Sequence, residues 1–129
     1  MSCAIISCEE NGCLTLDLFI LEDGFFKSNV LVRSDWYEAR ASFYASKERL
    51  DELLLNLEKI SHGSNSEAIF INEDGNFKVN FFIDHLGKAR IAGVLIKSMM
   101  DSSALNYELY SDLQSIVGFY GQLKRILSD

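Results

Sequence analysis

The clearest pattern of hydrophobic and polar positions lies between Phe77 and Lys97. Two apolar runs, each with polar residues at alternating positions, flank the segment Asp-His-Leu-Gly-Lys, and this period of two indicates strands that bury one face. The runs therefore predict a β-hairpin. Parity fixes its register, because residues opposite each other in an antiparallel pair share a face of the sheet. The predicted pairs are Ile83–Ala89, Phe81–Ile91, Val79–Gly93 and Phe77–Leu95, with Asp84 opposite Lys88.

Further segments of the chain also have strand character, and the predicted strands are 3–8, 14–20, 26–33, 39–45, 68–71 and 105–109. Asn11 and Gly12 both tolerate positive φ, so they predict a tight turn between the first two strands. The first four strands should form an antiparallel meander. Alanine occupies three of the four inward positions of the fourth strand, at 39, 41 and 45. We expect a bulky element, the following helix, to lie close over them.

A helix is predicted from Lys47 to about His62. Ser46 can cap its N-terminus, and Gly63 lies just past its end. Its apolar stripe has the spacing of a helix that packs one face on a sheet, and the stripe residues are Leu50, Leu53, Leu54, Leu57 and Ile60.

A second helix is predicted from about 112 to 127, after a capping box of Ser111 and Gln114. Its predicted apolar face consists of Leu113, Ile116, Val117, Tyr120, Leu123 and Leu127. Gly118 and Gly121 each lower helix propensity by about 1 kcal/mol relative to alanine, which suggests close packing against a neighbour.

The predicted fold class is α+β, with an antiparallel β-sheet of about seven to eight strands, arranged as a meander and hairpins and packed with the two helices. The chain has 129 residues, of which 48% are hydrophobic and 24% charged. That length suits one domain with its own core, so we expect residues 1–129 to form a single domain.

The formal net charge is −7, from 19 acidic and 12 basic residues. Nucleic-acid affinity depends mainly on Lys and Arg at phosphates, so this balance argues against a nucleic-acid partner. An acidic surface would attract a basic protein and speed its association, although many proteins are acidic for solubility alone.

Cys3, Cys8 and Cys13 form no Cys-x-x-Cys pair, and they predict neither a zinc site nor a disulfide framework. No apolar stretch approaches the ~20 residues of a membrane span, and no signal peptide is recognisable. We expect a cytoplasmic protein with no cofactor and no membrane partner.

Few residues are candidates for catalysis. Asp84 and His85 are adjacent at a strand end, where neighbouring side chains point apart, so a loop role is favoured over a catalytic pair. His62 falls in the last turn of the first helix, where a cation complements the helix dipole. No serine or cysteine has a recognisable nucleophile context, and we predict that the protein is not an enzyme.

An acidic cluster is the candidate functional surface. In a meander, successive turns lie at opposite ends of the sheet, which brings Glu9 and Glu10 close to Asp35 and Glu38. We predict that these four residues bind a partner, the alternative being a solvated sheet end. Trp36 lies among them, either as an interface anchor or as a plug at one end of the core.

Several segments, taken in chain order, carry a resemblance to a known family. They are Ser34–Phe43 with Trp36, Leu50–Ile60, Ser66–Phe70 of the form Ser-Glu-Ala-x-Phe, Asp84–Ile91 with Gly87 at its turn, Leu105–Leu109 and the closing helix. Over residues 14 to 127 the chain resembles the WapI-type immunity proteins. These are small acidic bacterial domains that neutralise the toxic C-terminal domains of contact-dependent or polymorphic toxins. The matching residues are core and turn positions and identify no binding residues.

The resemblance implies stoichiometric, non-catalytic binding to a cognate toxin protein, and a nuclease is one such toxin. A second hypothesis is a self-associating module that forms a homodimer through a sheet edge or through the strand Ile91–Ile96, whose two faces are both apolar. A third is an enzyme with an unrecognised site.

Overall fold

The computed structural model describes residues 3–21, 23–97 and 103–128. Within these ranges the elements are β1 Cys3–Ser7, β2 Cys13–Ile20, β3 Phe25–Arg33, β4 Glu38–Ser46, α1 Lys47–Ser61, β5 Glu67–Ile71, β6 Phe77–Ile83, β7 Lys88–Ile96, β8 Ala104–Asp112 and α2 Leu113–Leu127. Neither helix in this part of the chain has the length and hydropathy that crossing a membrane requires.

The strands form two four-stranded antiparallel sheets rather than one. The first sheet has the order β1-β2-β3-β4 and the second has the order β5-β6-β7-β8. Each sheet is a meander that leads directly into a helix, so the pattern of four strands and a helix occurs twice. The predicted α+β class, the strand number and the two helices are confirmed. The division into two sheets is a feature that strand patterning alone did not predict.

The hairpin of β6 and β7 has the predicted register, with Phe81 opposite Ile91 and Val79 opposite Gly93. The structure also explains the glycine. A Cβ at Gly93 would lie 1.8 Å from the carbonyl oxygen of Lys78 and 2.8 Å from the hydroxyl of Tyr107. That hydroxyl donates a 2.7 Å hydrogen bond to the same carbonyl. Gly93 therefore leaves room for a contact that fastens β8 to β6 across the intervening strand.

Helix α1 agrees with its prediction. The backbone N–H of Arg49 donates to the Ser46 hydroxyl at 3.2 Å, which is the expected cap. Leu54, predicted on the buried stripe, is half-buried. The fully buried stripe residues are Leu50, Leu53, Leu57 and Ile60.

Helix α2 differs from its prediction in three respects. The capping box is wrong, because β8 continues to Asp112 and that side chain accepts from the backbone N–H of Ser115 at 2.8 Å. The buried face includes Phe119, whose ring lies 5.6 Å from that of Phe81, whereas Val117 is exposed. The prediction of close packing at Gly118 and Gly121 is also wrong, since a Cβ at either position would meet nothing within 4 Å.

The two sheets meet at a buried seam beside β4. Phe43 stacks on Phe77 of the second sheet with ring centroids 4.7 Å apart, so this sheet as well as α1 covers the alanine-rich strand. Asn72 and Asn76, both buried, donate to the carbonyl oxygens of Tyr44 and Ser42 at 3.0 Å. These amides satisfy the edge of β4 and hold the two halves in a fixed arrangement.

Candidate partner-binding groove

A groove opens on the surface where three separate segments converge. They are the turn between β1 and β2, the connection between β3 and β4, and the exposed side of β8. The cavity has a volume of about 390 Å³. It is called the Trp36 groove below, and its lining residues are Glu9, Glu10, Ser34, Trp36, Tyr37, Asn106, Glu108, Leu109 and Tyr110.

Hydrogen bonds hold the β1–β2 turn against β8, across the boundary between the two sheets. The backbone N–H of Glu9 donates to the carbonyl oxygen of Tyr110 at 2.8 Å. The Ser111 hydroxyl donates to the carbonyl oxygen of Ser7 at 2.6 Å. Both bonds join residues about a hundred positions apart, so the groove belongs to neither sheet alone.

The turn has an unusual backbone. Glu10 and Asn11 have φ of 58° and 57°, and the N–H of Gly12 donates to the carbonyl oxygen of Glu9 at 3.0 Å. The positive φ values therefore fall one residue earlier than predicted. Gly12 has a different reason to be glycine, since a Cβ there would lie 2.9 Å from the carbonyl oxygen of Arg33. A glutamate in the left-handed region is uncommon, and that conformation costs a residue with a side chain about 1–2 kcal/mol.

Trp36 is the most exposed of the large hydrophobic side chains in the described chain, with 81% of its surface accessible. Its ring packs edge-to-face against Tyr37, with centroids 4.9 Å apart and planes at 79°. Tyr37 is half-buried and packs against the core. The interpretation of Trp36 as a core plug is therefore wrong. Tyr37 supports the tryptophan through this ring contact, and most of the indole surface remains accessible.

The four acidic residues singled out in the sequence fall into two groups. Glu9 and Glu10 line the groove, and within the described ranges their carboxylates make no hydrogen bond or ion pair. Asp35, next to the lining residue Ser34, accepts a 3.2 Å hydrogen bond from the hydroxyl of that serine. Glu38 lies outside the lining.

The Glu38 carboxylate is compensated by the protein itself. It binds Arg33 at 2.9 Å through one oxygen and Arg40 at 3.1 Å through the other. Hydrogen bonds from Arg33 first and Arg40 second lower the pKa of Glu38 below its ordinary value. Of the four acidic residues predicted from the sequence, Glu9, Glu10 and Asp35 thus have no ion pair with the described chain.

Residues of β8 in the groove were missed by the sequence analysis. The guanidinium of Arg90 donates twice to one oxygen of Glu108, at 2.7 and 2.9 Å, and the hydroxyl of Tyr110 donates to the other oxygen. The hydrogen bond from Tyr110, and then those from Arg90, lower the pKa of Glu108. The alternation that buries Tyr107 and Leu109 also turns Glu108 and Tyr110 outward, but nothing in the sequence places the β1–β2 turn beside them.

The remaining candidates for chemistry lie elsewhere. His62 and His85 both border a shallow groove at the end of α1. Asp84 uses its carboxylate to accept the backbone N–H groups of Leu86 and Lys88, each at 2.9 Å, as a loop role predicts. In the described chain no three residues of types His, Cys, Asp or Glu could hold a metal ion together. Burial, and next the neighbouring Cys13, raise the pKa of Cys8 to about 12, which keeps that thiol protonated at neutral pH.

The sequence matches no family model and no curated protein. Solved structures share its fold. One is a chain of the MRP1/MRP2 crystal structures from Trypanosoma brucei, with a TM-score of 0.55 and 10% identity, covering 95% of this chain and 80% of that one. Another is a chain of the CdiA-CT/CdiI toxin and immunity complex from Enterobacter cloacae, with a TM-score of 0.51 and 15% identity, covering 94% and 97%. At these identities the likeness establishes the fold alone.

Proposed function

We propose that this protein is an immunity protein: a stoichiometric, non-catalytic inhibitor that binds a cognate bacterial toxin domain through the Trp36 groove. One observation carries the proposal. An indole that is 81% exposed stands beside carboxylates that form no ion pair with the described residues, on a fold shared with a chain of a toxin and immunity complex. The proposed contact residues are Glu9, Glu10, Asp35 and Trp36.

Two physical arguments support this site. Tryptophan is enriched among the residues that dominate binding energy, and those residues act in pockets that a partner can desolvate. A protein of net charge −7 also attracts a basic partner over a distance, which raises the association rate at low salt. We extend the proposal to a basic toxin domain such as a nuclease, because a cleft that binds phosphates is complementary to an acidic surface.

The decisive experiment uses the toxin encoded by the gene next to this one. Co-expression should protect cells from that toxin, and the purified proteins should bind with 1:1 stoichiometry by isothermal titration calorimetry. A variant with Glu9→Gln, Glu10→Gln and Trp36→Ala should lose protection, while Glu48→Gln should keep it. Glu48→Gln is a suitable control because it removes an exposed carboxylate on α1, outside the residues that line the groove. Absence of a neighbouring toxin gene, together with absence of any rescue, would exclude the proposal.

A second candidate function is self-association, and it is favoured by the outer face of the second sheet. Ile69 and Ile71 of β5 and Phe82 of β6 are 39–45% exposed. Val94 and Ile96 of β7 are half-buried on the same face. Light scattering over a wide range of concentrations tests this candidate: a dimer that Phe82→Ser disrupts would support it, and a monomer at every concentration would remove it.

A further inference from the structure

The Trp36 groove combines an aromatic wall with two glutamates that have no partner in the described chain. We propose that the groove is a receptor for one arginine side chain of the bound protein, whose guanidinium stacks on the indole of Trp36 and binds the carboxylates of Glu9 and Glu10. This inference rests on the proposed function, because it states what the toxin must present to the site.

The charge of the occupant follows from the carboxylates. A partner that covers the groove removes water from Glu9 and Glu10, and desolvated carboxylates are costly unless a cation pairs with them. Arg90 already donates two hydrogen bonds to Glu108. It is therefore not available to neutralise Glu9 and Glu10. Arg33 is likewise committed to Glu38. In the described chain both arginines beside the groove are thus already paired, so the inference assigns the cation to the bound protein.

The shape of the wall selects arginine over lysine. Because 81% of Trp36 is exposed, its indole offers a flat surface to a partner, and a guanidinium is a planar, weakly hydrated cation that stacks on such surfaces. Its forked N–H groups can reach two carboxylate oxygens at once, whereas an ammonium is a compact and strongly hydrated point charge.

The molecule already contains the same arrangement in an intramolecular form. At the edge of the groove, the Arg90 guanidinium donates two hydrogen bonds to Glu108, whose other oxygen accepts from Tyr110. The nearby Glu38 carboxylate forms ion pairs with Arg33 and Arg40. Two glutamates at this end of the fold thus bind arginine. Glu9 and Glu10 have the same carboxylate chemistry, and no donor to them lies in the described ranges.

The size of the groove fits a side chain rather than a folded element. Its volume of about 390 Å³ lies near the lower end of the ~300–1,000 Å³ typical of ligand pockets. An extended arginine from a loop can enter such a space, while a helix would have to rest across its rim.

The first test needs no toxin. Trp36 is the single tryptophan of the chain, so its fluorescence and its indole N–H resonance report on the groove alone. We would titrate the protein separately with Nα-acetyl-arginine amide, Nα-acetyl-lysine amide and tetramethylammonium. We expect a saturable response to arginine that is at least about threefold tighter than to lysine. Glu9→Gln with Glu10→Gln should weaken this response. Trp36→Phe should keep part of it, measured by backbone NMR shifts, and Glu48→Gln, which removes an exposed carboxylate outside the groove, should leave it unchanged.

Equal responses to arginine and lysine, tighter binding of tetramethylammonium, or an unchanged response after loss of both glutamates would overturn the inference. A stronger response to tetramethylammonium would assign the groove to quaternary ammonium groups instead. Urea unfolding of each variant shows whether the fold is intact, and Trp36→Phe preserves an aromatic face should Trp36→Ala be unstable.

A second test separates this inference from the proposed function. With the cognate toxin, Trp36→Ala should weaken binding by about 30-fold, as for an interface residue of the dominant class. Tight toxin binding that neither Trp36→Ala nor the double glutamine variant alters would overturn the arginine receptor and leave the immunity function standing. Selective arginine binding by a protein whose gene has no neighbouring toxin gene would overturn the immunity function and leave the arginine receptor standing.

Discussion

Two hairpin turns, one from each sheet, achieve their chain reversals in opposite ways. The β6–β7 turn places glycine, Gly87, at its positive φ of 82°, and the Asp84 carboxylate accepts two backbone N–H groups within the turn. The β1–β2 turn places Glu10 and Asn11 at φ near 58°, and the carboxylates of Glu9 and Glu10 make no hydrogen bond with the described chain.

The difference indicates what each turn is for. Two features of the β6–β7 turn favour folding, because glycine tolerates positive φ and the aspartate satisfies the loop backbone. In the β1–β2 turn a side chain occupies a conformation that glycine or asparagine would adopt at a lower cost. Residues held in such conformations concentrate at functional sites. The contrast supports a binding role for the first turn and a scaffold role for the second hairpin.

The largest expected effect is on the scaffold hairpin. Gly93→Ala should destabilise the protein by about 3 kcal/mol, because the new Cβ would overlap the Lys78 carbonyl, whose backbone cannot move freely. Urea unfolding measures the change. Tyr107→Phe is the control, since it removes only the hydrogen bond to the same carbonyl and should cost about 1 kcal/mol. A free energy of unfolding unchanged by Gly93→Ala would contradict the scaffold assignment.

A smaller effect of opposite sign is expected in the β1–β2 turn. Glu10→Asn should raise the free energy of unfolding by about 1 kcal/mol, because asparagine tolerates the left-handed region better. The same variant should weaken toxin binding. Glu9→Asn is the matched control, because Glu9 does not have a positive φ and should gain no stability. Destabilisation by Glu10→Asn would remove the contrast between the turns.

A pH-dependent effect is expected at Asp84. Hydrogen bonds from the backbone N–H of Lys88, and then of Leu86, lower the pKa of Asp84 below its unfolded value of about 3.9. The folded state therefore gains stability from this ionised group above that pH and loses it as the pH falls through the folded pKa. Asp84→Asn should be less stable than the wild type at pH 7, and the difference should shrink as the pH falls below 4. A constant difference would argue against ionic capping.

The smallest expected effect is at the exposed indole. Trp36→Ala should change the free energy of unfolding by no more than about 0.5 kcal/mol, because most of the side chain contacts solvent. Phe119→Ala, which removes a fully buried ring, should cost about 3–5 kcal/mol. If chemical denaturation showed similar losses in the free energy of unfolding for the two variants, Trp36 would have to be assigned to the core.

Local patterning predicted the elements well and the site only in part. The alternation of apolar and polar residues predicted the β6–β7 register residue by residue. The Ser46 cap and the stripe of leucines after it predicted α1. Pairing between the two halves depends on side chains distant in sequence, such as Asn76 with the Ser42 carbonyl, and no short-range signal reports it. For the same reason the sequence did not indicate that Glu108 and Tyr110 line the groove, because their position beside Glu9 depends on how the two sheets meet.

The predictions of the aromatic positions and of the α2 cap failed for a related reason. A tryptophan after a turn can either fill the core or face solvent, and here the neighbouring Tyr37 packs against the core while Trp36 lies outside it. On α2, both Phe119 and Val117 fit a helical stripe, and the position of Phe81 on the second sheet decides between them. Asp112 and Ser111 are both good caps, and the length of β8 selects the later one.

The bond from the Glu9 N–H to the Tyr110 carbonyl has a consequence for protein synthesis. A ribosome adds roughly 5–20 residues per second, so β8 follows the β1–β2 turn by roughly 5–20 s. During that interval the nascent chain holds the glutamates but not the strand that positions them. The site can therefore arise only after translation has passed Tyr110, and prematurely terminated chains would carry the acidic turn without the ability to bind through it.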